Sequence, residues 1–104
     1  MTDISQLHRA LVARVLDSDG KAPPVMRRAA FDNAGLSEPM RTLIEKVAHR
    51  ASAVTDEDVA AVRAAGLSED QIFEIVVCAA IGQADRQYAS ARAALTEATE
   101  EGGR

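Results

Sequence analysis

Between Val54 and Arg86 the chain reads VTDEDVAAVRAAGLSEDQIFEIVVCAAIGQADR, and this stretch carries two helix starts in succession. Thr55 stands as the N-cap of the first, Asp56, Glu57 and Asp58 bring negative charge to the positive end of the dipole, and Val54 with Val59 makes a hydrophobic staple. Gly66 ends that short helix. Ser68 then caps the next one with Gln71 at the capping-box position, and Leu67 with Ile72 repeats the staple. Local signals that agree on both sides of one glycine specify a helical hairpin. From Glu69 the pattern stays helical to about Thr96, interrupted only by Gly82, and the closing EEGGR is expected to fray.

Inside the longer helix, IFEIVVCAAI from Ile72 to Ile81 is apolar at every position except Glu74. A helix that is apolar nearly all round has to be buried on more than one side. In a chain of 104 residues, surface dominates over volume, and a handful of short helices cannot wrap one of their number completely. Self-association through this helix is the expected remedy.

The rest of the chain reads as three further helices. Asp3 and Gln6 form a capping-box pattern ahead of Ile4, Leu7, Leu11 and Val15, and residues 17–20 (DSDG) break that helix. Pro23 and Pro24 open a second helix carrying Val25, Met26, Ala29, Ala30 and Ala34, which stops at Gly35. Ser37 caps a third, with Pro39 in its first turn and a buried stripe of Met40, Leu43, Ile44, Val47, Ala48 and Ala51. With three aromatics, no tryptophan and alanine as the dominant apolar residue, the composition lacks what sheets select, so an all-α class follows: a bundle of about five helices. The length corresponds to one domain, residues 1–104, with N-terminal helices over 1–35, a hairpin region over 36–98 and a tail over 99–104.

Charge and cysteine usage exclude several function classes. A formal net charge of −4 argues against nucleic acid and against anionic membranes, whose binding needs clustered Lys and Arg. No apolar run reaches the roughly 18 residues of a membrane span, and the N-terminus has no basic-then-apolar signal, so a cytoplasmic protein is expected. The short helix, turn and long helix have helix-turn-helix lengths, but a recognition helix beginning Glu69, Asp70, Gln71 is wrong for base edges.

Few residues carry chemistry. Cys78 is the sole thiol and lies in the apolar run, where burial removes the reactive thiolate, so it reads as a packing residue. His49 stands four residues after Glu45 on one helix face, a spacing that two metal ligands can use, but two ligands do not make a site and no cofactor is expected. His8 reads as a surface residue. Glu74, a carboxylate among Ile72, Phe73, Ile75, Val76 and Val77, is either an acid-base group or one half of a structural ion pair, with Arg86 as a partner across a subunit interface.

With those residues in view, the stretch resembles a segment of the carboxymuconolactone decarboxylase-like and alkylhydroperoxidase D-like proteins. The resemblance runs from Pro39 to about Leu95 and is carried by Asp58, Val62, Gly66, Leu67, Ile72, Glu74 and Arg86. It implies helical hairpins assembled into trimers or hexamers. The redox members of that superfamily act through a CxxC pair followed by a histidine; in one register those slots fall on Ala51, Val54 and Asp58, in the other, where this hairpin matches the superfamily's later one, the cysteine-bearing helix has no counterpart, and neither register implies disulfide chemistry. Two functions follow as expectations. The first is an oligomeric binding or assembly module without thiol-peroxidase activity, its partner a second copy of itself. The alternative is an enzyme of the decarboxylase type, with Glu74 or His49 as acid-base group and Arg86 holding a small carboxylate ligand.

Overall fold

The computed structural model describes residues 4–17 and 19–102, and these form five α-helices and one short 3-10 turn, with no strand among them. In chain order they are α1 (Ile4–Asp17), α2 (Pro24–Asp32), α3 (Met40–His49), α4 (Asp56–Ala64) and α5 (Glu69–Gly102), with the 3-10 turn at Ala51–Ala53 between α3 and α4. The expected all-α class is therefore observed.

The hairpin forms as its start signals dictate. Thr55 Oγ1 accepts from the Asp58 backbone N–H (3.2 Å) while the Asp58 carboxylate accepts from the Thr55 N–H (2.9 Å), a complete capping box. Lys46 Nζ reaches the same carboxylate at 2.8 Å and ties α3 to the start of α4. Ser68 and Gln71 repeat the reciprocal pair at 3.2 and 2.9 Å. Between them Gly66 takes φ +110°, a conformation that a side chain would strain.

Three expected boundaries shift. α2 stops at Asp32 rather than Gly35, because Asn33 adopts the left-handed conformation (φ +50°) and the Asn33 and Ala34 N–H groups turn back onto Ala30 and Ala29 carbonyls. Ser37 does not cap α3: the Glu38 carboxylate receives the Thr42 N–H (2.9 Å) and hydroxyl (2.7 Å) instead, a longer side chain doing the same office one residue later. α5 continues past Thr96 to Gly102. The capping pair proposed at Asp3 lies outside the described residues, as do Ser18 and the last two residues of the tail.

α5 is the element on which the others pack. Its Ile75, Cys78 and Ala79 join Leu16, Ala22, Ala30, Phe31 and Ile44 in one core, and its Ile72 joins Leu43 and Val62 in a second, smaller one. The expected α3 stripe is buried or half-buried from Met40 to Ala48, while Ala51 falls in the 3-10 turn and is exposed. Gly82 marks a close approach of α5 to α2: a Cβ there would overlap the Phe31 backbone carbonyl at the end of α2. The apolar run is thus wrapped on most sides, though not completely, within one chain. What remains open is a strip containing Phe73, 69 % exposed, and Ala80.

Beyond the body, α5 projects. A helix of 34 residues is about 51 Å long at about 1.5 Å per residue, and the molecule measures 58 × 28 × 21 Å. From Ala89 to Thr99 every side chain is exposed.

Candidate functional site

The polar centre of the molecule lies where the loop after α1 meets the start of α5. Within the chain Glu74 and Arg86 do not meet. The Glu74 carboxylate accepts the Lys21 N–H on both oxygens (2.7 and 2.9 Å) and the Ala22 N–H on one (2.7 Å), so it caps the backbone entering α2. Gln71, one turn earlier, donates from its side-chain amide to the Lys21 carbonyl at 3.1 Å and completes the grip on that loop. The loop comes this close because residue 20 is glycine: a Cβ there would overlap the Glu74 carboxylate and stand 3.6 Å from Arg27 Nη1.

Arg27 is the buried charge that the sequence reading passed over. It is 4 % exposed, and its Nη1 donates to the Val15 carbonyl in the last turn of α1 at 3.2 Å, a favourable place for a cation. The same carbonyl takes the Cys78 thiol at 3.8 Å. The signal was present in the spacing: Arg27 precedes Ala30 and Phe31 by three and four residues, which puts it on the apolar face of α2, whereas Arg28 points outward to Asp32 (3.1 Å).

A cleft of about 220 Å³ opens over this centre. One wall is α1, through Arg14 and Val15; the other is α5, through Phe73 and Val77. Arg27, Glu74 and Cys78 line its floor. Burial pushes the Cys78 thiol up, opposed by the nearby Arg27 charge and reinforced by Glu74. A thiol held in that state is a poor nucleophile at neutral pH.

The other residues singled out from the sequence sit elsewhere. Arg86 donates from Nη1 to the Phe31 carbonyl (2.6 Å) and from Nη2 to Gln83 (3.1 Å), so its fork closes the C-terminal end of α2. Arg86 lies twelve residues beyond Glu74, about 18 Å along the helix axis. His49 is exposed at the end of α3, with Nε2 3.3 Å from the Asn33 side-chain amide, also near the end of α2. The fold therefore sets Glu74 at one end of α2 and Arg86 and His49 at the other. Among the described residues no cluster of three or more His, Cys, Asp or Glu side chains is arranged to hold a metal. His8 is not the isolated surface residue expected: it pairs with Asp85 and packs its ring against Tyr88 at 5.2 Å, joining α1 to α5. No helix among the described residues is long and apolar enough to cross a membrane.

Compared with known families, curated proteins and solved structures, the chain matches no family, no curated protein and no solved structure.

Proposed function

We propose that the chain is a non-redox assembly module of the carboxymuconolactone decarboxylase-like and alkylhydroperoxidase D-like type, whose partner is a second copy of itself. The observation that carries this reading is the projecting half of α5. Its residues from Ala89 to Thr99 are rich in alanine, carry only Arg92 and Glu97 as charged side chains, and touch nothing apolar in their own chain deeply enough to bury any of them. Helices in proteins owe most of their stability to packing, and alanine lets two helix axes approach closely. Leu95 and, on the body, Leu7, Leu11 and Phe73 add exposed apolar area, which soluble monomers seldom leave uncovered in large patches. The decarboxylase alternative draws no support from geometry, since Glu74 is spent on backbone N–H groups and stands apart from His49 and Arg86.

Light scattering tests the reading directly. The protein at micromolar concentration is expected at a multiple of 11.0 kDa, and the double change Ala91→Glu with Leu95→Glu is expected to return it to the single-chain mass with its helical content kept. Ile81, half-buried against the main core, is the wrong place for that test, because a charge there would unfold the chain rather than separate copies. A mass of 11.0 kDa for the unmodified protein would overturn the proposal.

A further inference from the structure

The open strip of α5 on the body and the projecting arm are one continuous face. Phe73, Val77, Ala80, Ala84, Ala91 and Leu95 follow one another at steps of three, four or seven residues, which keeps them on one side of the helix over about 33 Å. All are exposed or half-buried and none is charged, although 27% of the chain is, and loss of charge is what marks the centre of a protein interface. Clefts border this face on the body: Arg14 of α1 stands on one side of Phe73, and Val59 and Arg63 of α4 on the other. Along the body α5 is thus the floor of a trough whose walls are α1 and α4. Leu7 and Leu11 share a helix face with Arg14 and continue the α1 wall with exposed apolar side chains.

The face also matches itself when turned end to end. Val77 and Ala91 stand seven residues either side of Ala84, and Phe73 and Leu95 stand eleven either side. We infer that two copies pair by a two-fold, antiparallel contact of α5 on α5 centred at Ala84, each arm lying in the trough between α1 and α4 of the other copy. The inference rests on the assembly reading and names the surface that receives the arm. In a two-fold contact each pairing occurs twice, so Phe73 meets the partner's Leu95 and Val77 meets the partner's Ala91 at both ends. Ala84 at the axis lets the helices approach closely, and Ala80 opposes the bulkier Tyr88, small against large. A parallel pairing would leave both arms beyond the two bodies, alanine against alanine, and would set like ends of two helix dipoles side by side. The antiparallel one opposes the dipoles and covers both the arm and the trough.

Charge substitution across the contact tests the register, read as mass by light scattering at micromolar concentration. The unmodified protein is expected at twice 11.0 kDa. Phe73 and Leu95 are 69 % and 68 % exposed, so Phe73→Lys and Leu95→Glu should each keep the helical content and each return the protein to the single-chain mass. Combined in one chain they should restore the doubled mass, because the new ammonium of one copy then faces the new carboxylate of the other. Cysteine cross-linking is the second measurement. Under mild oxidation Ala84→Cys, with its two thiols at the axis, should form a covalent pair at least about tenfold faster than Ala93→Cys, which lies half a turn round on the opposite face. Cys78 is buried and does not compete. A combined variant that stays at the single-chain mass, equal cross-linking at the two positions, or a native mass of three or more copies would each overturn the inference and leave self-association standing. A native mass of 11.0 kDa would overturn both.

Discussion

Glu74 shows how much one side chain's role depends on what faces it. A carboxylate in an apolar run usually survives by pairing with a cation, and removing one partner of a buried pair costs about 3–5 kcal/mol. Here the carboxylate is half-buried and holds the backbone of Lys21 and Ala22. Glu74→Gln keeps one acceptor but turns an amide donor toward N–H donors, so a loss of about 1–3 kcal/mol is expected instead. Thermal melting checks this, and an unchanged melting temperature would contradict the capping role. Asp58 supports a second prediction at this scale. Its carboxyl lies below the ordinary value of 3.8, held there first by the Lys46 ammonium and then by the Thr55 backbone N–H. A depressed folded-state pKa stabilises the fold above 3.8 and loses that contribution as pH falls toward the lowered value. Stability followed between pH 5 and pH 2 should therefore fall less steeply in Asp58→Asn than in the unmodified protein.

At the scale of elements, the crossing of α2 and α5 sets two effects against each other at Gly82. Replacing an interior helical glycine by alanine ordinarily gains up to about 1 kcal/mol. A Cβ at this position would overlap the backbone of Phe31, whose carbonyl also receives Arg86, and backbone does not yield as a flexible side chain does. Overpacking of this kind costs about 1–3 kcal/mol, so the steric effect wins and Gly82→Ala is expected to melt lower. A higher melting temperature would mean that the helices separate at little cost.

At the scale of the whole molecule, the thiol is a probe of how tightly one chain closes over itself. Cys78 is 1 % exposed and its thiol is pushed up by burial, so reaction with a chromogenic disulfide should be slow in the native protein and fast after unfolding in denaturant. Rapid native labelling would place the cleft floor in open solvent. The same burial leaves no reactive thiolate for peroxide, in keeping with the absence of any second cysteine in the chain. Against that closed body stands the projecting end of α5, which gives the molecule its 58 Å length and carries the face proposed for self-association.

Capping residues, staples and chain-breaking glycines were legible in the sequence because each acts within five residues of itself. Thr55 with Asp58, Ser68 with Gln71 and the turn at Gly66 could be read directly for that reason, and so could the α3 stripe. The boundaries of α2 and α3 were less legible, since Asn33 and Glu38 compete with Gly35 and Ser37 over the same local bonds. Contacts between distant residues leave no local pattern. That Glu74 grips Lys21 and Ala22, that Arg86 closes on Phe31 and that His8 finds Asp85 all depend on how α1 and α2 lie across α5. The candidate site belongs to this second class: its residues come from three helices, and only the packing of those helices, driven by burial and indifferent to chemistry, decided that two arginines, a carboxylate and a thiol would share one cleft.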